Sequence, residues 1–463
     1  MGSKRQKGTG QGKAPAQGGN ASGEEEVKLG EEAYGRGEYE QALGLLLPWA
    51  QQGNPSAQYL CGVMYDKGEG VAEDLKRALY WYEKAAGQGM CEAQLACGQM
   101  YDKGLGSDVN EFMALRWYEA AAAQGSREAL YKCGEMRYWG KGDRMDRREA
   151  LRWFEEAAAR GHMDALSYCS RMYDQGDGVE RDQGKALYWY EKGAMWGDAI
   201  CQCQCGDRYS QGMGVQKNQG KALHWYEEAA AQGNREAQCK SARMYLSGDG
   251  GEKSREKALA LFELAAGSGS GKNQYECGCA YYDGGRGSEA DMRKALYWME
   301  KAAQRGCREA QYQCGYMYGE GEGTKKNQDK SLYWYEKAAE NGHPQSQYVC
   351  GAMYDAREGS ARDQMQAVYW YGKAAENGHI EAQYRYGEIF YQGEGMPPLK
   401  GEALRWIERA AEGGHLEAQY QCAQMYVQGE GTPRNKEKAR YWFRKAAESG
   451  HEGARRLLKI VDL

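Results

Sequence analysis

Several stretches of this 463-residue chain hold residue types that can do chemistry. Ser254, Arg255, Glu256 and Lys257 match the S-x-x-K of penicillin-recognising enzymes, where a serine serves as the nucleophile for acyl transfer. Cys201, Cys203 and Cys205 crowd three soft metal ligands together. AGSGSGKN, from 266 to 273, approaches a loop that cradles phosphate. Lysines interleaved with tyrosines, such as Lys185, Tyr188 and Lys192 or Lys294, Tyr297 and Lys301, are types that bind nucleic acid.

Each signal weakens once the chain is read for what must position it. The S-x-x-K has no accompanying S-D-N or K-T-G. Alternate residues on a helix diverge by about 200°, and no second Cys or His pair adjoins the three cysteines in sequence. In the glycine stretch Ala266 stands where the first Gly belongs, Asn273 replaces Ser or Thr, and a helical pattern precedes it. Beside the Lys/Tyr sets lie Glu191, Glu300 and Glu336, and lysine stems commonly cover aromatic faces while their charges stay in water. Carboxylates such as Glu83 and Asp66 recur with the same period, and none is singled out as an acid or base. No catalytic set, cofactor site, metal site or small-molecule substrate is read from these residues.

The organising feature is a 36-residue period. Trp81, Trp117, Trp153, Trp189 and Trp225 are 36 apart, Leu261 takes the next slot, and Trp298, Trp334, Trp370, Trp406 and Trp442 continue the series. One extra residue near Gly284 to Gly287 explains the single interval of 37. Self-similarity at this spacing predicts an all-α, right-handed α-solenoid of antiparallel helix pairs. In each unit a first helix such as AQYLCGVMYDKG (57 to 68) runs into a GxG loop. A second helix then opens after a capping Asp74, Asp182, Asn218, Asn327 or Asn435. Residues 1–24 read as a disordered Gly/Lys/Gln-rich tail, 25–53 as a degenerate capping pair, 54–450 as eleven repeats and 451–463 as a final capping helix.

Helix one and its loop, as in AQYQCGYMYGEGEG (310 to 323), and helix two, as in KALYWYEKGAMWG (185 to 197), closely resemble the Sel-1-like repeat family, relatives of the tetratricopeptide repeats. The resemblance implies a scaffold or adaptor that binds protein or peptide segments along its concave side, lined by helix one. It implies roles in complex assembly, signalling or protein quality control. It also raises one alternative, a β-lactamase-like or peptidoglycan-binding hydrolase, because some cysteine-rich members have been linked to β-lactamase activity; the Lys/Tyr stripe itself raises a second, RNA binding. Secreted cysteine-rich members pair a Cys near the end of helix two with one at the start of the next helix. Ala86, Ala122 and Ala303 occupy the former place here, so that disulfide ladder is not expected. Nine cysteines (Cys61, Cys97, Cys133, Cys169, Cys205, Cys277, Cys314, Cys350 and Cys422) instead share one register and read as small, reduced core residues.

The eleven copies also compare with one another. The register of Gly62 holds only Gly, Ser or Ala, as small residues at a close approach would, with Leu79, Trp81 and Tyr82 expected to fill the groove between repeats. Tyr80 alternates with Arg116, Arg152, His224 and Ala260 and reads as surface. On helix one, the registers of Leu60 and Val63 change type freely and, three residues apart, share a face that should be wet. The candidate partner-binding residues are therefore Lys132, Glu135, Arg171, Asp207, Lys240, Arg243, Tyr316 and Arg385; the rival reading is drift of solvated positions. His343, His379, His415 and His451 recur between repeats and read as turn residues. Acidic and basic residues mix to a net charge of −5, which disfavours nucleic acid and an anionic membrane surface. No apolar run reaches the roughly 18 residues of a membrane span and no secretory signal is seen, so a cytoplasmic location is expected.

Overall fold

The computed structural model describes residues 19–284, 288–357, 360–394 and 397–460. Among them every regular element is an α-helix, twenty-five in chain order. None is long and apolar enough to cross a membrane. The chain divides into two compact units, one ending at Glu228 and the other beginning at Ala229, and each is a stack of helical hairpins. The period fixes eleven hairpins, numbered here from the pair Pro55–Lys67 and Leu75–Gly87 to the pair Leu416–Gln428 and Lys436–Glu448. A further pair, Gly19–Gly35 and Tyr39–Gln51, precedes them, and Glu452–Ile460 follows. The helix that opens at Gly19 begins inside the stretch read as a tail, of which residues 1–18 lie outside the described ones.

Most helices run 13 residues because their ends are written into the sequence. The Asn54 side chain accepts the Ala57 N–H to start the first helix, and Gly68 stops it at φ 70°, a conformation that costs other residues strain. All five expected caps of the second helix accept a backbone N–H, from Asp74 through Asn435. Each is worth about 1 kcal/mol. Two second helices, Glu289–Gln304 and Ala361–Glu376, start a turn early, capped by Ser288 and Ser360.

The small register of Gly62 serves its own hairpin rather than the groove between repeats. A Cβ there would lie 2.6 Å from the Tyr82 ring, and Gly98 and Gly134 stand in the same way against Tyr118 and Phe154. The second Gly of the loop has the corresponding role between repeats. A Cβ on Gly106 or Gly142 would lie 2.2 Å from the carbonyl oxygen of Leu75 or Glu111, which opens the second helix of the preceding repeat. Backbone thus rests on backbone. The nine register cysteines are completely buried.

Two hydrogen-bond series join successive hairpins. Tyr101, Tyr173, Tyr209, Tyr281, Tyr318, Tyr354 and Tyr426 each donate a hydroxyl to a glutamate 18 residues earlier, at 2.5 to 2.9 Å. Arg137 substitutes for tyrosine and bonds Glu119 at 2.9 Å. The glutamates Glu191, Glu300 and Glu336, which the sequence places beside the Lys/Tyr stripe, belong to this seam. Buried glutamines, among them Gln94, Gln311 and Gln347, donate to a carbonyl eight residues back, in the last turn of the preceding helix. Each of those carbonyls also accepts the backbone N–H of the turn glycine that follows, Gly89, Gly306 or Gly342, so the glutamine is a second donor whose bond satisfies its own buried amide.

Candidate functional site

With one helix face packed inside the hairpin and another spent on the seam, the first helices present a third face. The structure places the expected partner-binding residues on it, but that face is less open than the sequence suggested. The register of Leu60, which includes Lys132, Lys240 and Arg385, is half-buried in every repeat. The neighbouring register alternates between half-buried residues, such as Glu135 and Asp207, and exposed ones, Arg171, Arg243 and Tyr316. Charge is tolerated there because it is paired, not because the face is fully wet.

In repeat 3, Lys132 Nζ donates to Glu135 Oε2 at 2.7 Å, and Tyr131 donates to the other Glu135 oxygen at 2.9 Å. Burial works against the Lys132 ammonium, and the Glu135 carboxylate more than offsets it, so its pKa lies above the ordinary lysine value. Arg171 lies over the Tyr168 ring at 4.8 Å. Asp207 accepts from Tyr226 at 2.7 Å and so belongs partly to the hairpin core. Lys240 pairs with Glu236 at 2.7 Å, and Arg243 reaches Glu276 of the next repeat at 2.6 Å. Arg385 bridges Glu388 at 2.8 Å and Asp355 of the preceding repeat at 3.1 Å.

The residues do not converge on one point. Four of them, Lys132 with Glu135 and Lys240 with Arg243, fall around two separate clefts of about 410 Å³. In the first unit, Asp102, Lys132, Glu135, Met136, Trp139 and Lys141 line one, with Trp139 exposed at its edge. In the second unit, Arg235, Glu236, Cys239, Lys240, Arg243, Lys272, Asn273 and Glu276 line the other. Arg171, Asp207, Tyr316 and Arg385 lie in neither lining.

Sequence reading missed Arg208. Its register holds Met in eight other repeats, yet here a guanidinium is only 2% exposed. It lies 4.3 Å from the centre of the Tyr190 ring, and its NH2 is 3.0 Å from Asp174 Oδ2. That contact is close but misaligned, so among the described residues neither this nitrogen nor Nε has a hydrogen-bond acceptor. A break in the methionine register was the available signal.

The other sequence motifs take structural places. Ser254 caps its helix by accepting the Lys257 N–H at 3.3 Å, while the Lys257 ammonium lies over Tyr245 at 5.1 Å. Lys185, Lys294, Lys330 and Lys438 all cover tyrosine rings, and hydrogen bonds to Tyr281 and then Glu263 hold Lys294 above its usual pKa. Tyr80 is half exposed while Trp81 and Tyr82 are buried, as the internal comparison predicts. Residues 266 to 273 bridge two helices, with Gly271 already helical. The recurring histidines do more than turn the chain. His379, His415 and His451 cap helices through Nδ1 and stack on Tyr348, Tyr384 and Tyr420. His415 also reaches back to Glu381 through Nε2 at 3.0 Å, a pairing that His162 repeats with Glu128.

The Sel1 repeat profile matches eleven consecutive segments, from 55–90 through 416–451. A solved protective antigen from uropathogenic Escherichia coli, described as displaying an SLR fold, is 33% identical with a TM-score of 0.62, covering 89% of this chain and 88% of its own. A Sel1 repeat protein from Oxalobacter formigenes is 37% identical over 52% of this chain and 99% of its own, with a TM-score of 0.45. No curated protein matches the chain. Helix pairs, period, glycine stops and the matched segments agree, and the chain belongs to the Sel1 repeat family.

Proposed function

We propose that this protein is a non-catalytic scaffold that binds segments of other proteins along the first-helix face, in complex assembly, signalling or protein quality control. One observation carries the reading. The registers facing the hairpin core and the seam repeat nearly unchanged, whereas the half-buried registers of Leu60 and Val63 change chemistry from repeat to repeat around two clefts. A partner binding at several such points gains avidity without any single strong contact. Burial pushes register thiols such as Cys61 up to about 12, which suits core packing and not redox or nucleophilic chemistry.

Partner capture from the native cell tests this, comparing the natural chain with one reversed at Lys132, Arg171, Lys240 and Arg243. Loss of partners with helical content intact is the expected result; an unchanged partner set removes the surface. Two control assays address the other classes. Nitrocefin turnover that disappears in Ser254→Ala would establish a hydrolase, and salt-sensitive RNA retention on the Lys/Tyr stripe would establish a nucleic-acid binder. The committed positions of Ser254, Lys257 and the stripe lysines favour neither outcome.

A further inference from the structure

The two clefts differ in charge, and the difference assigns a chemistry to one of them. Around the first-unit cleft two lysines, Lys132 and Lys141, face two carboxylates, Asp102 and Glu135. Around the second-unit cleft four cations, Arg235, Lys240, Arg243 and Lys272, face only Glu236 and Glu276, in a chain whose net charge is −5. Those two carboxylates are already engaged by Lys240 and Arg243. Arg235 and Lys272 are exposed and make no ion pair with any described residue.

Lys272 is the residue that tips the balance. Its register holds glutamate in six other repeats, Glu92, Glu128, Glu236, Glu309, Glu381 and Glu417, and no other repeat has a cation there. Glu128, Glu381 and Glu417 use the position to accept from a histidine of the following repeat. Repeat 7 has given up that acid and put an ammonium on the cleft instead. A second feature lies alongside. Glu276 spends Oε1 on Arg243 and has the weak thiol donor of Cys239 beside its carboxylate, while its Oε2 is buried and receives no N–H or O–H donor among the described residues, so the cleft offers one poorly filled acceptor between its cations.

We infer that this cleft, on the first helices Arg235–Ser247 and Gly271–Gly284, holds an acidic side chain of an extended protein segment. The carboxylate of the segment meets Arg235 and Lys272, and an adjacent backbone N–H supplies the donor that Glu276 Oε2 lacks. A partner that is neutral along its length can still offer the N–H but leaves both cations without a counter-charge, so the cleft selects by charge as well as shape. This assignment rests on reading the first-helix face as the partner surface, and it names the partner's chemistry at one place on it.

Fluorescence anisotropy tests it with a labelled Gly/Ser peptide of about ten residues carrying three glutamates, and with its Gln counterpart. The acidic peptide should bind the full chain about tenfold or more tightly than the Gln peptide, with the difference shrinking as salt rises. Lys272→Glu combined with Arg235→Glu should weaken the acidic peptide by about tenfold or more. Glutamate already stands at the first of these registers in six other repeats, and unchanged circular dichroism will confirm that the variant folds. Lys76→Glu, at an exposed position on the second helix Leu75–Gly87, should leave the affinity within about twofold. Equal binding of the two peptides, or binding indifferent to the double reversal, overturns the assignment. So does an RNA oligomer that outcompetes the acidic peptide and depends on Arg235 and Lys272. If the four-residue reversal abolishes partner capture while the acidic peptide fails to bind, only this assignment falls. If capture is unaffected as well, the reading of the face falls with it.

Discussion

Replacing Arg208 with methionine should stabilise the protein, and the size of the gain follows from its surroundings. The guanidinium is 2% exposed, and holding a charge there costs several kcal/mol of lost hydration. What it receives in return is one misaligned ion pair with Asp174 and a contact with Tyr190, the latter worth about 2 kcal/mol in a desolvated site. Methionine fits the same register in repeats 1 to 4, where Met64, Met100, Met136 and Met172 are buried, and burying it contributes about 1.5 to 3 kcal/mol. Asp174, with its side chain 30% exposed, regains water when the arginine leaves and costs at most about 1 kcal/mol. Arg208→Met should therefore gain about 1 to 3 kcal/mol. Asp174→Ala alone should lose about 2 kcal/mol by stranding the buried cation, and the same change should cost almost nothing in the methionine background. Repeat arrays do not unfold as a single two-state unit, so the readout is amide hydrogen exchange in the first helices of repeats 4 and 5, backed by urea titration. A loss of more than about 1 kcal/mol on Arg208→Met refutes the reasoning and makes the arginine a net stabiliser.

Repeat 10 supplies a second test. Phe390 and Gly372 stand where other repeats have the seam's tyrosine and glutamate, and Tyr386 stands in the cysteine register, with its ring 3.0 Å from where a Gly372 Cβ would be. Gly372→Glu alone should cost about 1 to 3 kcal/mol by overpacking, whereas the triple change Gly372→Glu, Phe390→Tyr, Tyr386→Cys should recover most of it, measured by thermal melting; equal losses in both variants would refute the exchange. A third concerns acid. Burial lowers the pKa of His343, with Arg308 adding to it and Glu309 opposing, and burial likewise lowers that of His379 against the opposing Glu381. Their folded forms bind protons less readily than the unfolded chain, so their contribution is complete above about pH 6.5 and is lost as pH falls below it. The melting temperature should drop between pH 7 and 5, and substituting both with asparagine, which caps without titrating, should flatten that decline; an unaltered profile counts against it.

Much of the fold was legible because the repeat supplies its own comparison. The tryptophan spacing, the caps from Asp74 to Asn435 and the stop at Gly68 each depend on local sequence, and all appear where expected. What remained hidden depends on which face meets which. Tyr173 and Glu155 are 18 residues apart on different helices, so nothing local marks them as a bonded pair. The Gly62 register was correctly read as needing a small residue, but the ring it admits comes from its own hairpin. The candidate face was misjudged in openness, because Arg243 and Arg385 find Glu276 and Asp355 only when the neighbouring repeat packs, whereas Lys132 and Glu135, three residues apart on one helix, were a legible pair.

The glycines that rest on the preceding repeat have a consequence for how such a chain changes length. At Gly106 and Gly142 this one contact is made by main chain alone, and the side-chain part of the junction, the tyrosine–glutamate bond and the glutamine, recurs with the same period. Units that carry this glycine together with the seam's tyrosine, glutamate and glutamine can succeed one another, so a whole module of that kind can be duplicated or deleted with its junction intact. Selection is then left free to rewrite the exposed registers one module at a time, which is how a nearly uniform framework comes to display a neutral cleft in one half and a cationic one in the other.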